Sequence, residues 1–432
     1  MSSISVLVIT GWSLREHHCQ RAHVQPLKRM ARDGLRAHLM TFERPPYRGT
    51  GRQAAEWLAS LEADGIVWHP IAYHHRPLLL AKLLDGMSAV WAGWRLLRSE
   101  RIDLLHARSE FPAVIAGVLA RLSGLPMLYE HDASISEERV DSGVWRRGGL
   151  VYRVTRAVER WLPARAQEMI VLSQRYAQRL RDDGVGVPIA VLPCSTDTEI
   201  FQRDQAVRLD VRHAHGWEGR LVAVYSGSSG GWYQLEEMAQ FFARLHAVMP
   251  ATHWLCLIND DPAAMRRLAA RHGIPADALT VRSVPAAEVP RWLSAADVGL
   301  AFIRAGTSKY ASSPNKVAEY LACGLPVIMT PGVGDTEQLL DVPEAGHVLA
   351  GSGVSAYDRA IAWLQEVLPQ LPQAADVCRR IAVERLSLEG SIEAYRAIYA
   401  RLSAQASADA VRPEMVEPAL SVMQPQEPSH VG

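Results

Sequence analysis

Lysine is scarce in this chain of 432 residues, and the four lysines are Lys28, Lys82, Lys309 and Lys316. Nearly all of the basic residues are arginines, which makes two lysines seven positions apart conspicuous. An excess of one charge sign is also missing, because Lys+Arg and Asp+Glu both number 46. Nucleic-acid-binding domains usually show a basic excess, so the zero net charge argues against that class.

Cysteine is sparse, and the arrangement of the five cysteines excludes two kinds of site. No pair has the spacing of a zinc ribbon or of a redox motif, so a reducing cytosol fits best. The histidine pairs His17/His18, His74/His75 and His213/His215 have no supporting carboxylate or cysteine pattern. We therefore predict no metal site and no cofactor.

Long apolar runs are absent as well. No window of about 18 uncharged apolar residues occurs, so no membrane-spanning helix is expected. The first residues, MSSISVLVITGW, lack the basic segment of a signal peptide. These features predict a cytoplasmic protein.

What the chain does contain is a repeated alternation of strand and helix patterns. Short apolar runs and amphipathic segments alternate up to about residue 193, and the alternation begins again at residue 219. Such alternation is typical of an α/β fold with parallel sheets covered on both faces. We predict domains at 1–193 and 219–403, a linker at 194–218, and a disordered tail at 404–432.

The stretch SKYASSPNKVAEYLACGLPVIMTPGVGD, residues 308–335, is the most informative part of the sequence. The apolar run 298–303 ends in a polar loop. Pro314 suits the first turn of a helix, with Ser313 as its predicted N-cap, and Gly324 suits the helix end. The helix then begins at the carboxyl edge of a parallel sheet, where ligands bind and where free N–H groups favour phosphate.

Lys316 and Glu319 lie three positions apart and share one face of that helix. The ammonium of Lys316 could bind a phosphate, and the carboxylate of Glu319 could accept hydrogen bonds from the two hydroxyls of a ribose. This pair of groups would therefore suit a nucleotide diphosphate. The alternative is an ordinary solvated helix face with an ion pair between the two residues. The position of the helix after a buried strand favours the nucleotide site.

The segment SSPNKVAEYLACGLPVIMTPGVGD resembles the nucleotide-sugar motif of glycosyltransferase family 4, whose members are retaining enzymes with the two-domain GT-B fold. The resemblance extends to roughly residue 400 and is strongest in the second half. It implies that Glu319 binds the ribose and that the loop and helix start bind the diphosphate. The implied nucleotide-sugar-binding residues are Gly227, Gly230, Gly231, Lys309, Ser313, Asn315, Lys316 and Glu319.

Two departures from the family pattern concern the donor. Many members have a second glutamate eight positions before the first, and that place is occupied by Ala311. Relatives also carry Arg and Lys near the glycine loop YSGSSGGW, which has neither, and the candidates for the missing charge are Lys309, Lys316 and Arg304. The base and the sugar of the donor stay open.

Polar residues follow two neighbouring strands of the first unit, in LLHARSEFP and MLYEHDASISEERVDSG. Both segments should open towards the cleft. We therefore predict that these residues face the acceptor, and that His131 is a candidate catalytic residue together with Lys316. The alternative for His131 is a purely structural histidine, and the alternative for Arg108 is a buried ion pair with one of the acids. The predicted acceptor-side set is Arg108, His131, Asp132, Glu137 and Glu138.

The predicted helix at 77–98 carries Trp91, Trp94, Arg95 and Arg98. Packing against the first sheet is one interpretation, and a peripheral contact with the inner face of a membrane is the other, since Trp and Arg suit that interface. The second would serve a lipid-linked acceptor.

Together these features predict transfer of a sugar from a nucleotide diphosphate donor to a hydroxyl of a glycan or lipid-linked acceptor, in bacterial polysaccharide or glycan synthesis. The alternatives are a sugar epimerase of the same fold and a catalytically inactive, nucleotide-binding partner of a synthase complex. The oligomeric state stays open.

Overall fold

The computed structural model describes residues 4–74, 78–258 and 261–410. Most of the predicted disordered tail therefore lies outside the described residues. The described chain forms two α/β units, each built on a parallel sheet. This confirms the predicted architecture.

The first sheet has seven parallel strands in the order β3-β2-β1-β4-β5-β6-β7. One strand of this sheet, Ser5–Thr10 with the sequence SVLVIT, is short, apolar and rich in β-branched residues, and it is buried along its whole length. The strands are β1 Ser5–Thr10, β2 Arg36–Glu43, β3 Ile66–Ala72, β4 Leu104–Arg108, β5 Met127–Glu130, β6 Glu168–Val171 and β7 Ile189–Val191.

Helices connect these strands and cover both faces of the sheet. A π-helical segment, Gln20–Val24, joins the first two helices. The helices of this unit are α1 His17–Cys19, α2 Gln25–Arg32, α3 Gly51–Ala63, α4 Leu78–Ser99, α5 Glu110–Ser123, α6 Ile135–Asp141, α7 Leu150–Trp161 and α8 Gln174–Asp182.

The second sheet has six parallel strands in the order β10-β9-β8-β11-β12-β13. They are β8 Leu221–Ser226, β9 Thr252–Leu257, β10 Leu279–Arg282, β11 Val298–Ala301, β12 Val327–Met329 and β13 Gly346–Val348. The helices after the first unit are α9 Gln205–His215, α10 Leu235–Val248, α11 Pro262–Arg271, α12 Val289–Ser294, α13 Asn315–Ala322, α14 Thr336–Leu339, α15 Val354–Val367, α16 Leu371–Arg385 and α17 Leu388–Ala410.

Three segments differ from the sequence-based expectations. Helix α3 forms where no helix is predicted, and Thr50 and Gln53 form a capping box at its start. Helix α6 forms within the segment MLYEHDASISEERVDSG, where no helix is predicted, and Ser134 is its N-cap. Helix α9 forms inside the predicted linker, and Val211 packs into the core of the second unit.

The last helix returns to the first unit. Apolar residues of α17, including Ile392 and Leu402, join the core beneath β1 and β2. Arg401 forms an ion pair with Glu168 at 2.7 Å. Helix α17 continues to Ala410, beyond the predicted start of the tail at 404.

The carboxyl ends of the two sheets face each other. Asp141, at the end of α6, accepts a hydrogen bond from the backbone N–H of Ser308 at 2.8 Å. The Trp232 indole donates to Glu138 at 3.3 Å. Because residues that follow β5 contact residues that follow β8 and β11, the candidate site lies between the two units.

Candidate functional site

Helix α13 begins at the carboxyl edge of the second sheet, as the sequence predicts. A short 3₁₀ segment, Thr307–Ala311, connects β11 to it. Pro314, and not Ser313, occupies the N-cap position, and it caps the helix without a side-chain hydrogen bond. The Ser313 hydroxyl instead accepts a hydrogen bond from the backbone N–H of Cys194 at 3.0 Å. The N-cap prediction for Ser313 is therefore wrong, because this hydroxyl ties the motif to the linker.

Lys316 is buried, with only 5% of its surface exposed. Its Nζ lies 3.6 Å from the ring centroid of Tyr233 and 4.2 Å from that of Tyr225. It has no hydrogen-bond partner among the described residues. Burial lowers the pKa of Lys316 to about 7, although the nearby carboxylate of Glu319 acts in the opposite direction. The site thus holds a titratable cationic donor with no acceptor.

The glycine loop after β8 lies directly over this ammonium group. A Cβ at Gly227 would lie 2.6 Å from Lys316 Nζ, and the φ of +152° at Gly227 also disfavours any side chain. Gly230 and Gly231 are exposed in the same loop. The arrangement lets the loop backbone and the lysine reach one ligand from two sides.

Glu319 is also buried, at 7% exposure, so the solvated-face interpretation of the motif is wrong. Its Oε1 forms an ion pair with Nη1 of Arg21, from the π-helical segment of the first unit. The alternative interpretation, an ion pair between Lys316 and Glu319, is also wrong, because among the described residues Glu319 pairs with Arg21. Asn315, the first residue of α13, is partly exposed beside this pair.

Lys309 and Arg304 both stack on Trp232 instead of lying free in the cleft. Lys309 Nζ lies 3.9 Å from a ring centroid of Trp232, and the Arg304 guanidinium carbon lies 4.9 Å from it. Burial lowers the pKa of Lys309, while Glu138 and Asp141 act to raise it. Trp232 thereby links the predicted donor-side Lys309 to the predicted acceptor-side Glu138.

Arg108 forms buried ion pairs, which was the structural alternative for this residue. Its Nη1 lies 3.0 Å from Glu130 and its Nε donates to Asp132 at 2.7 Å. Burial alone would favour the neutral acid, but Arg108 and His106 lower the pKa of Glu130 to about 2. The side chain of Asp132 stays partly exposed, but its Oδ1 is buried and has no hydrogen-bond partner among the described residues.

His131 is fully engaged with two tyrosines. The Tyr129 hydroxyl lies 2.8 Å from its Nδ1, and the Tyr176 hydroxyl lies 2.6 Å from its Nε2. Burial lowers the pKa of His131 to about 3, so the ring is neutral at physiological pH. This geometry favours the structural interpretation over the catalytic one, because neither ring nitrogen is left for an acceptor hydroxyl.

Glu137 and Glu138 lie next to each other on α6 but have different environments. Glu137 is buried and accepts hydrogen bonds from Arg147 at 2.7 Å and from Tyr152 at 2.9 Å. Glu138 is partly exposed and reaches Trp232 across the cleft. Of the two, Glu138 is therefore the one that borders the candidate site.

The residues described contain neither a metal-type cluster nor a spanning helix. Across residues 4–74, 78–258 and 261–410, no three His, Cys, Asp or Glu side chains group as metal ligands. Within the same ranges, no helix combines the length and the apolar character needed to cross a membrane.

Arg21 is the site residue that the sequence reasoning missed. The sequence offers one signal for it, since it follows the carboxyl end of β1, at the edge of the sheet where ligands bind. His17 lies nearby, and its pKa is lowered by burial and by Arg21, while Glu319 acts to raise it. Nothing local in the sequence connects Arg21 with a glutamate 298 positions away.

Two family models match the chain, one in each unit. Residues 24–195 match a glycosyl transferase 4-like domain, and residues 222–366 match the glycosyl transferases group 1. A comparison with curated protein sequences gives no match. Both matched descriptions are of glycosyltransferases.

Solved structures of similar architecture cover nearly the whole chain. Sucrose-phosphate synthase from Thermosynechococcus elongatus aligns with a TM-score of 0.67 and 16% identity over 93% of this chain and 100% of that one. HepE from Anabaena, in complex with UDP, aligns with a TM-score of 0.66 and 14% identity over 94% of this chain and 99% of that one. WaaG, a glycosyltransferase involved in lipopolysaccharide biosynthesis, aligns with a TM-score of 0.61 and 15% identity over 90% of this chain and 99% of that one. At these identities the likeness shows the fold, which is GT-B.

Proposed function

We propose that this chain, whose two domains both match glycosyltransferase families, transfers a sugar from a nucleotide diphosphate donor to a hydroxyl acceptor. The observation that carries the proposal is the buried ammonium of Lys316, which lacks an acceptor and lies between the glycine loop and the start of α13. A buried cationic donor without a partner is costly, and a phosphate oxygen would satisfy it. The helix N-terminus adds partial positive charge at the same place.

The donor class follows from two neighbouring groups. Glu319 provides a carboxylate that can accept hydrogen bonds from both hydroxyls of a ribose. Lys316, three positions earlier on the helix, can bind the diphosphate. The solved structures of HepE with UDP and with UDP-glucose support a nucleotide sugar as the donor class here.

The reaction breaks the bond between the anomeric carbon and the outer phosphate oxygen, with the bonding electrons leaving on that oxygen. Lys316 and the start of α13 stabilise the developing negative charge. The acceptor oxygen forms its new bond on the same face of the sugar, and its proton passes to the departing phosphate oxygen. Retention of the anomeric configuration follows from attack on that face, without an enzyme nucleophile.

The acceptor would enter between α6 and the loop that carries Trp232. Asp132, Glu138 and Asp141 are partly exposed acids there, and Glu138 contacts Trp232 of that loop. Such carboxylates bind sugar hydroxyls through hydrogen bonds. This arrangement supports a glycan acceptor of the kind used in bacterial polysaccharide or glycan synthesis.

A peripheral membrane contact is supported by helix α4. Its partly buried Trp94 packs against the core of the first unit, whereas Trp91 is 60% exposed. The exposed apolar residues at helical spacing are Leu80, Leu83, Leu84, Met87 and Trp91. Arg95, whose guanidinium carbon lies 4.8 Å from the Trp91 ring centroid, adds positive charge for anionic lipid. We expect binding to anionic vesicles that Trp91→Ala weakens, and equal binding by both proteins would argue against it.

The second candidate is a nucleotide-binding partner without transfer activity, and Ala311 favours it. This residue stands where many relatives have a glutamate, is fully buried, and packs against the core of the first unit. A carboxylate at this place would not fit without rearrangement.

A panel of nucleoside diphosphates and nucleotide sugars tests the proposal. Ligand binding stabilises the folded protein by an amount that grows with the logarithm of ligand concentration over Kd, so at equal concentration the preferred base gives the largest shift in melting temperature. Hydrolysis or transfer of the matching nucleotide sugar then separates an enzyme from an inactive partner. The absence of any shift across the panel would refute the proposal.

A further inference from the structure

Arg21 connects the first unit to the ribose carboxylate of the second. It lies in the π-helical segment Gln20–Val24, and such segments often mark functional positions. Its Nη1 donates to Glu319 Oε1, and its guanidinium carbon lies 6.0 Å from the ring centroid of Phe201. Arg21 thus donates to the same carboxylate oxygen that the proposed function assigns to the ribose diol.

Arg21 also has a donor with nothing to bind. Its Nη2 is buried without a hydrogen-bond partner among the described residues, and the same is true of Lys316 Nζ. Both cations interact with Glu319, so two unpaired cationic donors belong to one small region. A single carboxylate satisfies only part of this hydrogen-bonding capacity, and a group with several anionic oxygens would satisfy the rest.

The other cations close to the glycine loop are engaged elsewhere. Arg304 and Lys309 stack on the two-ring side chain of Trp232, and the loop 227–231 itself contains neither lysine nor arginine. The diphosphate of a donor carries two negative charges, and Glu319 would repel them if it stood alone. A second cation beside Lys316 is therefore needed, and Arg21 is placed to provide it.

We propose that Arg21 binds the donor diphosphate from the first unit, and that Glu319 exchanges Arg21 for the ribose diol when the donor arrives. This rests on the proposed function. A guanidinium presents paired N–H groups that match phosphate oxygens, so Arg21 can bind one phosphate through two parallel hydrogen bonds. When the donor binds, the direct ion pair between Arg21 and Glu319 is replaced by a contact through the ligand, with Arg21 on the diphosphate and Glu319 on the ribose.

The test compares three probes on wild type and Arg21→Ala by calorimetry. The probes are the nucleoside diphosphate with the largest thermal shift among UDP, GDP, ADP and dTDP, its monophosphate, and its nucleoside. Arg29→Ala is the matched control. Arg29 lies in the adjoining helix α2 and pairs with Asp197 of the linker and Glu389 of α17, away from the candidate site.

Arg21→Ala should raise the Kd of the diphosphate about tenfold or more, as expected for the loss of a charged hydrogen bond. It should leave nucleoside binding unchanged or make it tighter, because Glu319 is then released. Arg29→Ala should leave all three affinities near wild type, and Arg21→Lys should restore part of the diphosphate affinity.

Three results overturn the inference. Unchanged or tighter diphosphate binding by Arg21→Ala would show that the ion pair is only a contact between the units. An equal loss for all three probes would show that Arg21 acts only through Glu319. Wild type that binds no diphosphate of the panel would refute the proposed function itself, and the Arg21 role with it. Thermal unfolding of each variant checks the fold, and Arg21→Lys replaces Arg21→Ala in the comparison if the alanine variant does not fold.

Discussion

At the residue scale, the mechanism depends most on Lys316. Lys316→Ala should lower kcat about 100- to 1000-fold, more than it raises donor KM, because the phosphate charge grows in the transition state. Lys316→Arg should rescue only part of the rate, because the two tyrosine rings around Nζ leave little room for a guanidinium. Steady-state kinetics of the two variants measure these effects. A near-wild-type kcat for Lys316→Ala would show that Lys316 does not stabilise the leaving diphosphate.

The pKa of Lys316, lowered to about 7 by burial, predicts a pH dependence of donor binding. A bound phosphate favours the ammonium and raises this pKa, so binding takes up a proton when the free protein has lost it. The affinity for nucleoside diphosphate should therefore fall as the pH rises from about 7 to about 9, above the second phosphate ionisation at about 6. Calorimetry over this range should show the fall in wild type and a flat profile in Lys316→Ala. The same slope in both proteins would assign the titration to another group.

The residue scale is also where the sequence was least informative. The motif predicted the places of Lys316 and Glu319 because the residues that position them are neighbours in the chain. It could not predict the pairing of Glu319 with Arg21 or the two tyrosines around His131. Such contacts depend on how distant strands and helices pack together. The same limit applies to Ser313, because its hydroxyl accepts a hydrogen bond from the backbone N–H of Cys194, 119 positions away in the sequence.

At the scale of elements, the glycine loop and α13 act as a pair. Gly227→Ala should displace Lys316, because a Cβ at Gly227 would lie 2.6 Å from Nζ. We expect weaker nucleoside diphosphate binding with the fold retained. Gly186→Ala is the control, since Gly186 lies between α8 and β7, outside the glycine loop, and a Cβ there meets nothing within 4 Å. Equal affinities for the two variants, measured by calorimetry, would show that the loop does not determine where the lysine lies.

The elements themselves were predictable where the hydrophobic pattern was strong. The buried strands, such as β1 and β8, are short apolar runs in the sequence, and such runs predict buried strands. Helix α3 is mostly exposed and buries only Leu61, so its sequence has no strong apolar stripe that would predict a helix. Strand β13 has three residues and gives no periodic signal. The seven residues of α6 are mostly polar, so their pattern does not distinguish a helix from a loop.

At the scale of the whole molecule, α17 ties the end of the second unit to the first sheet. Tyr399 hydrogen-bonds His106 at 2.8 Å, and Tyr395 donates to Glu130 at 3.0 Å. A chain that ends at Ser387 would expose the apolar residues with which α17 packs, each worth about 1.5–3 kcal/mol. We expect a clearly lower melting temperature. Unfolding at the wild-type temperature would show that α17 contributes little to the first unit.

The central claim is that the cleft of this two-domain protein binds a nucleotide diphosphate at the start of α13. The most direct measurement is the Kd of the preferred nucleoside diphosphate for wild type, Glu319→Ala and the exposed control Glu366→Ala. Loss of the ribose carboxylate should weaken binding about tenfold or more, while the control should match wild type and all three proteins should unfold alike. Unchanged affinity in a folded Glu319→Ala protein would contradict the account.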